Sequence, residues 1–252
     1  MPLESNPPGV IRQVGFVLLP GFSLLAQACA LEPLHVANLL AGERLYTPLT
    51  FGLDERAVKS AAELALSPHS VAGDDAGELD MLIVCAPAAF NGAHDALLAW
   101  LARLAGRGVA LGGIAGGTEV LARAGVLDGY RATLPWQSAE SFVQAHPAVR
   151  VSQQLFEIDR DRLTCGGGTA AMDMMMTLIA QHHGTHRVAF KIECEAKHTA
   201  LKLDHLSVLD FSEAVNTNDA IGNGDNSALI GGLRSDFKLV DTLLDQVANF
   251  RG

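Results

Sequence analysis

The chain is short of positive charge, of aromatic rings and of paired cysteines, and each shortage narrows what it can be. Lys and Arg number 18 against 28 Asp and Glu, a formal charge of −10. A chain this acidic is repelled by phosphate backbones, so on its own it is a poor nucleic-acid binder. Aromatics make up only 6%, and a chain rich instead in Gly and Ala, with apolar strands, suits a close-packed parallel sheet. The four cysteines (Cys29, Cys85, Cys165 and Cys194) form no C-x-x-C pair, which points to free thiols in a reducing compartment. No apolar run reaches the roughly eighteen residues of a membrane span. The first ten residues, MPLESNPPGV, lack the basic and apolar regions of a signal peptide. These absences predict a cytoplasmic protein that does not enter a membrane.

What is present is apolar and small. The 252 residues are 49% hydrophobic and include 25 glycines, ample for one α/β domain with a small appendage. Residues 1–12, with three prolines, read as a loose tail. Strands are predicted over 14–19, 47–53, 79–85, 109–114, 130–134, 149–151, 155–158 and 163–164. Helices are predicted over 24–40, stopped near Gly42, and over 93–104, 139–145 and 170–182, with another after residue 117. The segment 54–78 is polar and holds a short hairpin. The helix over 24–40 is apolar almost throughout and reads as buried. Alternating strands and helices imply a doubly wound, mostly parallel sheet sandwiched by helices, flavodoxin-like. Met172, Met174, Met175 and Met176 read as core filler. Beyond 185 the chain becomes more charged, with a loop over 216–227 and a final helix capped by Ser235 that packs on the domain or makes a dimer contact.

The run Gly112-Gly113-Ile114-Ala115-Gly116-Gly117-Thr118 sits between a strand and a helix. Gly113-x-Ala115-x-Gly117 has the spacing of a nucleophile elbow, where a strained turn lifts one side chain above the sheet. A plain Gly-rich turn fits equally well. The lifted residue is alanine, which has no atom that attacks anything. Two other strand ends converge there, at Ala86-Pro87-Ala88 and at Cys165–Gly168, and their backbone N–H groups favour an anionic group on a ligand. The glycines match neither G-x-G-x-x-G nor a P-loop, which argues against a nucleotide.

Three runs carry a family resemblance: GFVLLPGFSLLAQACALEPLHVANLLAG, GGIAGGTEVLARAGVLDGYRATLPW and LFEIDRDRLTCGGGTAAMDMMMTLIAQHHG. They resemble the sensor half of GlxA-type regulators of the AraC family, a half related to the ThiJ/PfpI, class I glutamine amidotransferase-like proteins. The resemblance covers residues 14–184 and implies a sensor domain over 13–184, followed by a divergent extension over 185–252 with no recognisable helix-turn-helix. Enzymes of that superfamily carry Cys at the elbow, where this chain has Ala115. They place an acid in the first helix, where it has Ala26. Many relatives have His after the next strand, where it reads Leu134-Pro135-Trp136. A covalent cycle needs such an activated nucleophile, so the expectation is a non-catalytic sensor without metal or cofactor. Its ligand would be a small nitrogenous metabolite, such as an amino acid or a betaine-like compound. A homodimer is expected, with DNA reached only through a part not evident here. The alternatives are a hydrolase or hydratase using Cys165 or Glu32, and a dimerising scaffold.

The candidate ligand-binding residues are Ala115, Gly116, Gly117, Thr118 and Glu119 at the elbow, and Pro87 and Ala88 at the neighbouring strand end. Cys165 and Gly166 stand at the third. A helix N-terminus would lower the Cys165 thiol pKa, although a buried structural thiol is the simpler account. Cys29 and Cys85 read as core. Glu32, inside the first apolar helix, either faces the pocket or reaches solvent. Glu119 favours the N-terminus of its helix and adjoins the pocket. Trp136 either offers its ring face to a cation or packs against the surface helix. His182, His183 and His186 either hold a metal or form a solvated helix end beside the negative pole. The Asp159-Arg160-Asp161-Arg162 run reads as a solvated turn with local ion pairs.

Overall fold

The apolar runs with no polar interruption become the middle of a sheet. In the computed structural model, which describes residues 11–73, 78–89 and 94–183, strands β1 (Arg12–Leu18), β6 (Met81–Ala86) and β7 (Ala110–Ala115) lie side by side. Every residue of β6 and β7 is buried, as a strand covered on both faces requires. The full order is β10-β11-β7-β6-β1-β2-β5, with β2 (Tyr46–Gly52) and β5 (Ser70–Val71) beyond β1. On the other side β11 (Arg162–Cys165) runs parallel to β7, and β10 (Phe156–Asp159) closes the edge antiparallel. A short antiparallel hairpin, β3 (Val58–Lys59) and β4 (Ala65–Leu66), occupies the polar segment, as expected.

Alternation along each strand divides the core in two. Phe16, Leu18, Ile83 and Cys85 face one layer, with α1 (Leu24–Ala41) and α5 (Ala170–His183). Val17, Leu82, Val84 and Leu111 face the other, with α2 (Asp95–Gly106), α3 (Gly117–Arg123) and α4 (Ala139–Ala145). The long parallel strands read 2-1-6-7-11 across the sheet, the flavodoxin-like winding. The chain reverses its direction of winding between β1 and β6, so the crevice outside their carboxyl ends is where such a fold holds ligands.

Local chemistry explains the ends of α1. Ser23 accepts a hydrogen bond from the Ala26 N–H at 3.2 Å, and Gly42 turns left-handed at φ 70° so that its N–H reaches the Asn38 and Leu39 carbonyls. Asn38 then clamps the start of β2, accepting from the Leu45 and Tyr46 N–H groups and donating to the Tyr46 carbonyl, each at 2.8 Å.

Several expectations are corrected. Arg12 belongs to β1, so the tail ends before it. The strand predicted over 130–134 shrinks to β8 (Arg131–Ala132), which pairs with β9 (Arg150–Val151) apart from the main sheet. The rest of that segment bonds to its surroundings: the Thr133 N–H donates to Thr164 Oγ1 at 2.9 Å, and Thr133 Oγ1 donates to the Gln154 carbonyl at 2.7 Å. Helix α1 is not buried all round, because Leu25 and Leu39 stand in solvent. With mean hydropathy 1.3 over 18 residues, α1 also reaches the length and apolarity of a membrane span, against the expectation. Its Ala26, Ala30, Leu34 and Ala37 nevertheless lie in the core. The Asp159–Arg162 turn is not simply solvated. Arg162 is buried, donates to the Val126 carbonyl at 2.9 Å, pairs with Asp161 at 2.8 Å and lies over the Tyr130 ring.

The histidine end of α5 is the sharpest reversal. His182 is 2% exposed, and its Nδ1 is 2.9 Å from the Tyr46 hydroxyl; His183 Nε2 is 3.0 Å from the same oxygen. Burial, with Arg12 and His183 nearby, pushes the His182 pKa down to about 3. The ring is therefore neutral, not a charged cap on the helix. Among the described residues no cluster of metal-ligand type occurs. His186, the 216–227 loop, the final helix and the extension over 185–252 lie outside the described residues. The Met row is core, with Met174 and Met175 fully buried.

A base whose folded pKa lies below its unfolded value adds stability above the unfolded pKa, and that stability is lost as pH falls. Chemical denaturation of the protein is expected to show falling stability from about pH 6.5 downward, on the order of 1 kcal/mol per pH unit from His182. The variant His182→Gln should flatten that acid limb, measured as the urea midpoint against pH.

Candidate functional site

The turn after β7 is a strained elbow. Ala115 has φ 54°, a left-handed conformation uncommon for a residue with a side chain. Two glycines force it. A Cβ on Gly113 would stand 2.6 Å from the Thr118 nitrogen, and a Cβ on Gly117 would overlap the Val84 carbonyl oxygen. The Gly-x-Ala-x-Gly spacing is therefore a steric necessity of bringing α3 tight against β6 and β7. It holds the Ala115 methyl at the carboxyl edge of the sheet, where β6 pairs Ala86 with Ala115 and β11 pairs Cys165 with Ile114.

Around that methyl the structure gathers most of the expected residues. Pro87 continues from Ala86 and lies 3.7 Å from where a Gly21 Cβ would be, so the ends of β1 and β6 meet at the winding switch. Ala88 is exposed, and its carbonyl accepts from Ser138 Oγ at 3.3 Å. That bond fixes the 3₁₀ turn Trp136–Ser138 beside the strand end. Trp136 is 82% exposed, which corrects the view that it packs on the surface helix. On the opposite wall, Gly167 comes within 3.2 Å of the Ala115 methyl, measured from the Cβ it lacks. Gly166 donates its N–H to the Leu155 carbonyl at 3.1 Å. Gly116 begins α3. Thr118 is sealed below, its hydroxyl donating to the Thr133 carbonyl at 2.9 Å.

The expected carboxylates do not join this group. Glu119 turns to His146, with an oxygen 3.0 Å from Nε2. Glu32 is exposed, on the opposite side of α1 from its buried stripe, so it reaches solvent. Of the described residues named above beside Ala115, none is charged. Ala26, at the position where relatives with an acid would have it, is fully buried.

Among the described residues, all three thiols are held protonated by burial. Cys165 is 0% exposed, and burial pushes its pKa up to about 12, outweighing the Gly167 and Ala115 N–H groups that act to lower it. The expected depression by a helix end is thus overturned by desolvation. Burial also raises Cys85, which is fully enclosed, and Cys29, which is half-buried on α1.

Some contributors were not read from the sequence. Gly21 and Ser138 are two of these, since their roles depend on Pro87 and Ala88, far away in the chain. Gln27, in the second turn of α1, is buried although its side chain forms no hydrogen bond with the described residues. A lone Gln in an apolar helix was the available signal.

A solved AraC family transcriptional regulator from Pseudomonas putida is 31% identical to the chain, with TM-score 0.68, covering 72% of this chain and 97% of that one. The chain belongs to the AraC family of transcriptional regulators. Among curated relatives, the HTH-type transcriptional regulator CdhR of Pseudomonas aeruginosa is 44% identical over 174 residues, 67% of this chain and 50% of the relative. The HTH-type transcriptional regulator GbdR of the same species is 37% identical over 217 residues, 81% of this chain and 57% of the relative. The chain thus spans about half the length of the curated relatives it matches. No family model matches. The fold alone is shared with a ThiJ/PfpI family protein from Pseudomonas syringae at 22% identity and TM-score 0.58, covering 75% of each chain.

Burial keeps the Cys165 thiol protonated at pH 8 and closed to reagents. Iodoacetamide at pH 8 is expected to leave Cys165 and Cys85 unlabelled in the folded protein and to label both in urea, read by peptide mass spectrometry. Rapid labelling of Cys165 in the folded state would reopen covalent catalysis.

Proposed function

We propose that the described residues form a non-catalytic, small-molecule-sensing domain, holding its ligand in the crevice above Ala115. The observation that carries the reading is the combination at the strand ends: a strained elbow whose raised side chain is a methyl, and beside it an exposed indole. A nucleophile is missing where the backbone is shaped to present one, so holding a ligand is the task this geometry supports. The neutral lining suits a ligand of zero net charge, and the Trp136 face suits a cationic nitrogen within it. A zwitterion, an amino acid or a betaine-like compound, meets both conditions, its carboxylate directed to the backbone N–H groups at the start of α5.

In this reading the sensor works as a homodimer in the cytoplasm, where the chromosome is. It controls transcription through a helix-turn-helix part of the kind named in its relatives. The acidic balance of the chain supports assigning DNA contact to such a part rather than to the sensor surface. Domain limits of 12–184 for the sensor, taking in the whole of β1, and 185–252 for the extension complete the proposal.

Glycine betaine and a panel of amino acids and amines at millimolar concentration are expected to include one that raises the melting temperature, since a ligand that binds only the folded state stabilises it. The variant Trp136→Ala should weaken that ligand about tenfold by calorimetry, the scale of a desolvated cation–π contact. A panel with no effect would favour a dimerising scaffold. Turnover of any panel member would overturn the non-catalytic reading.

A further inference from the structure

Helix α1 has a second face that the crevice does not use. Its buried stripe of Ala26, Ala30, Leu34 and Ala37 packs into the core. On the opposite side, Leu25 is 57% and Leu39 65% exposed, with Ala28 and Val36 half-buried between them. The hairpin of β3 and β4 lies alongside the helix start, where the Ala61 N–H donates to the Phe22 carbonyl at 2.9 Å. Leu64, in the turn of that hairpin, is exposed as well, outside the stripe on α1. Apolar side chains set together in water mark an interaction surface. Two polar residues interrupt this one, Glu32 and His35, both exposed and one helical turn apart. Neither forms a hydrogen bond or ion pair with the described residues.

We propose that this face of α1 is where two copies of the chain meet. The proposal rests on the dimeric reading above and names its surface. A two-fold contact must be complementary to itself, and this stripe is. Lay α1 antiparallel on its symmetry mate, with the axis passing between positions 33 and 34. Glu32 then faces His35 on both sides of the axis, and the carboxylate accepts from the imidazole N–H. In the same register Leu39 faces Ala28 twice, a large side chain against a small one, so the helices approach closely. Other occupants fit less well. An anionic lipid surface draws in amphipathic helices through Lys and Arg, and α1 contains neither.

The test is sedimentation equilibrium on the full 252-residue chain, with circular dichroism to confirm that each variant is folded. The unaltered protein is expected to be a dimer. Glu32→Arg sets cationic groups against His35 on both sides and should weaken the dimer about tenfold, whereas Glu32→Arg combined with His35→Glu should restore it to within about threefold. Leu39→Glu should give monomers. A dimer indifferent to Glu32→Arg and to Leu39→Glu overturns the proposal, while leaving the dimeric reading in place with its interface elsewhere. A protein that is monomeric at every concentration overturns both. The glycine betaine and amino-acid melts run on the same samples show whether ligand sensing survives either failure.

Discussion

The structure depends on one close approach: Gly117 against the Val84 carbonyl. Only a hydrogen fits between them. Because it fits, α3 can start directly above β6 and β7, and the chain between must pass through a left-handed turn at Ala115. Holding a residue with a side chain in that region costs on the order of 1–3 kcal/mol. The cost is met by the two apolar layers that lock β6, β7 and the helices on either side. The turn is a geometric consequence of packing, and it persists whether or not the raised side chain reacts.

That separation between shape and chemistry explains the site. The backbone arrangement delivers Pro87, Ala88, Gly166 and Gly167 to the same rim, because parallel strands end together and their connections start there. The side chains at the apex are a second, independent layer of information. Here they are a methyl, a sealed thiol and an indole in solvent. Desolvation governs Cys165, raising its pKa in spite of the favourable backbone dipoles around it.

Much of the fold was legible because its signals are local. The continuous apolar run at 79–85 became β6, Gly42 ended α1, and the Gly-x-Ala-x-Gly spacing marked the elbow. What was misread depends on partners far off in the sequence. The segment 130–134 has strand-like composition, but its Thr133 groups are taken by Thr164, Gln154 and Thr118. Glu119 sits next to the elbow in sequence, yet His146 draws it away. His182 looked like a solvated end until Tyr46, 136 residues earlier, was found covering it. Trp136 could not be placed by pattern, since an indole in a loop has no period to betray its exposure. Helix α1 is apolar on both sides, so hydrophobicity alone did not say which side the core would take.

Helix α5 ties two distant places together. Its first turn follows the glycines that wall the crevice, where Gly167 and Gly168 have φ of 100° and 59°. Its last turn is gripped by the Tyr46 hydroxyl, and at 1.5 Å per residue the two ends are about 20 Å apart. Its buried side includes Met174, Met175 and Met176, side chains that adapt readily to their surroundings. Helix α5 is thus a single rigid element whose first turn stands beside the glycines next to Ala115 and whose last turn is held by hydrogen bonds from His182 and His183 to one tyrosine.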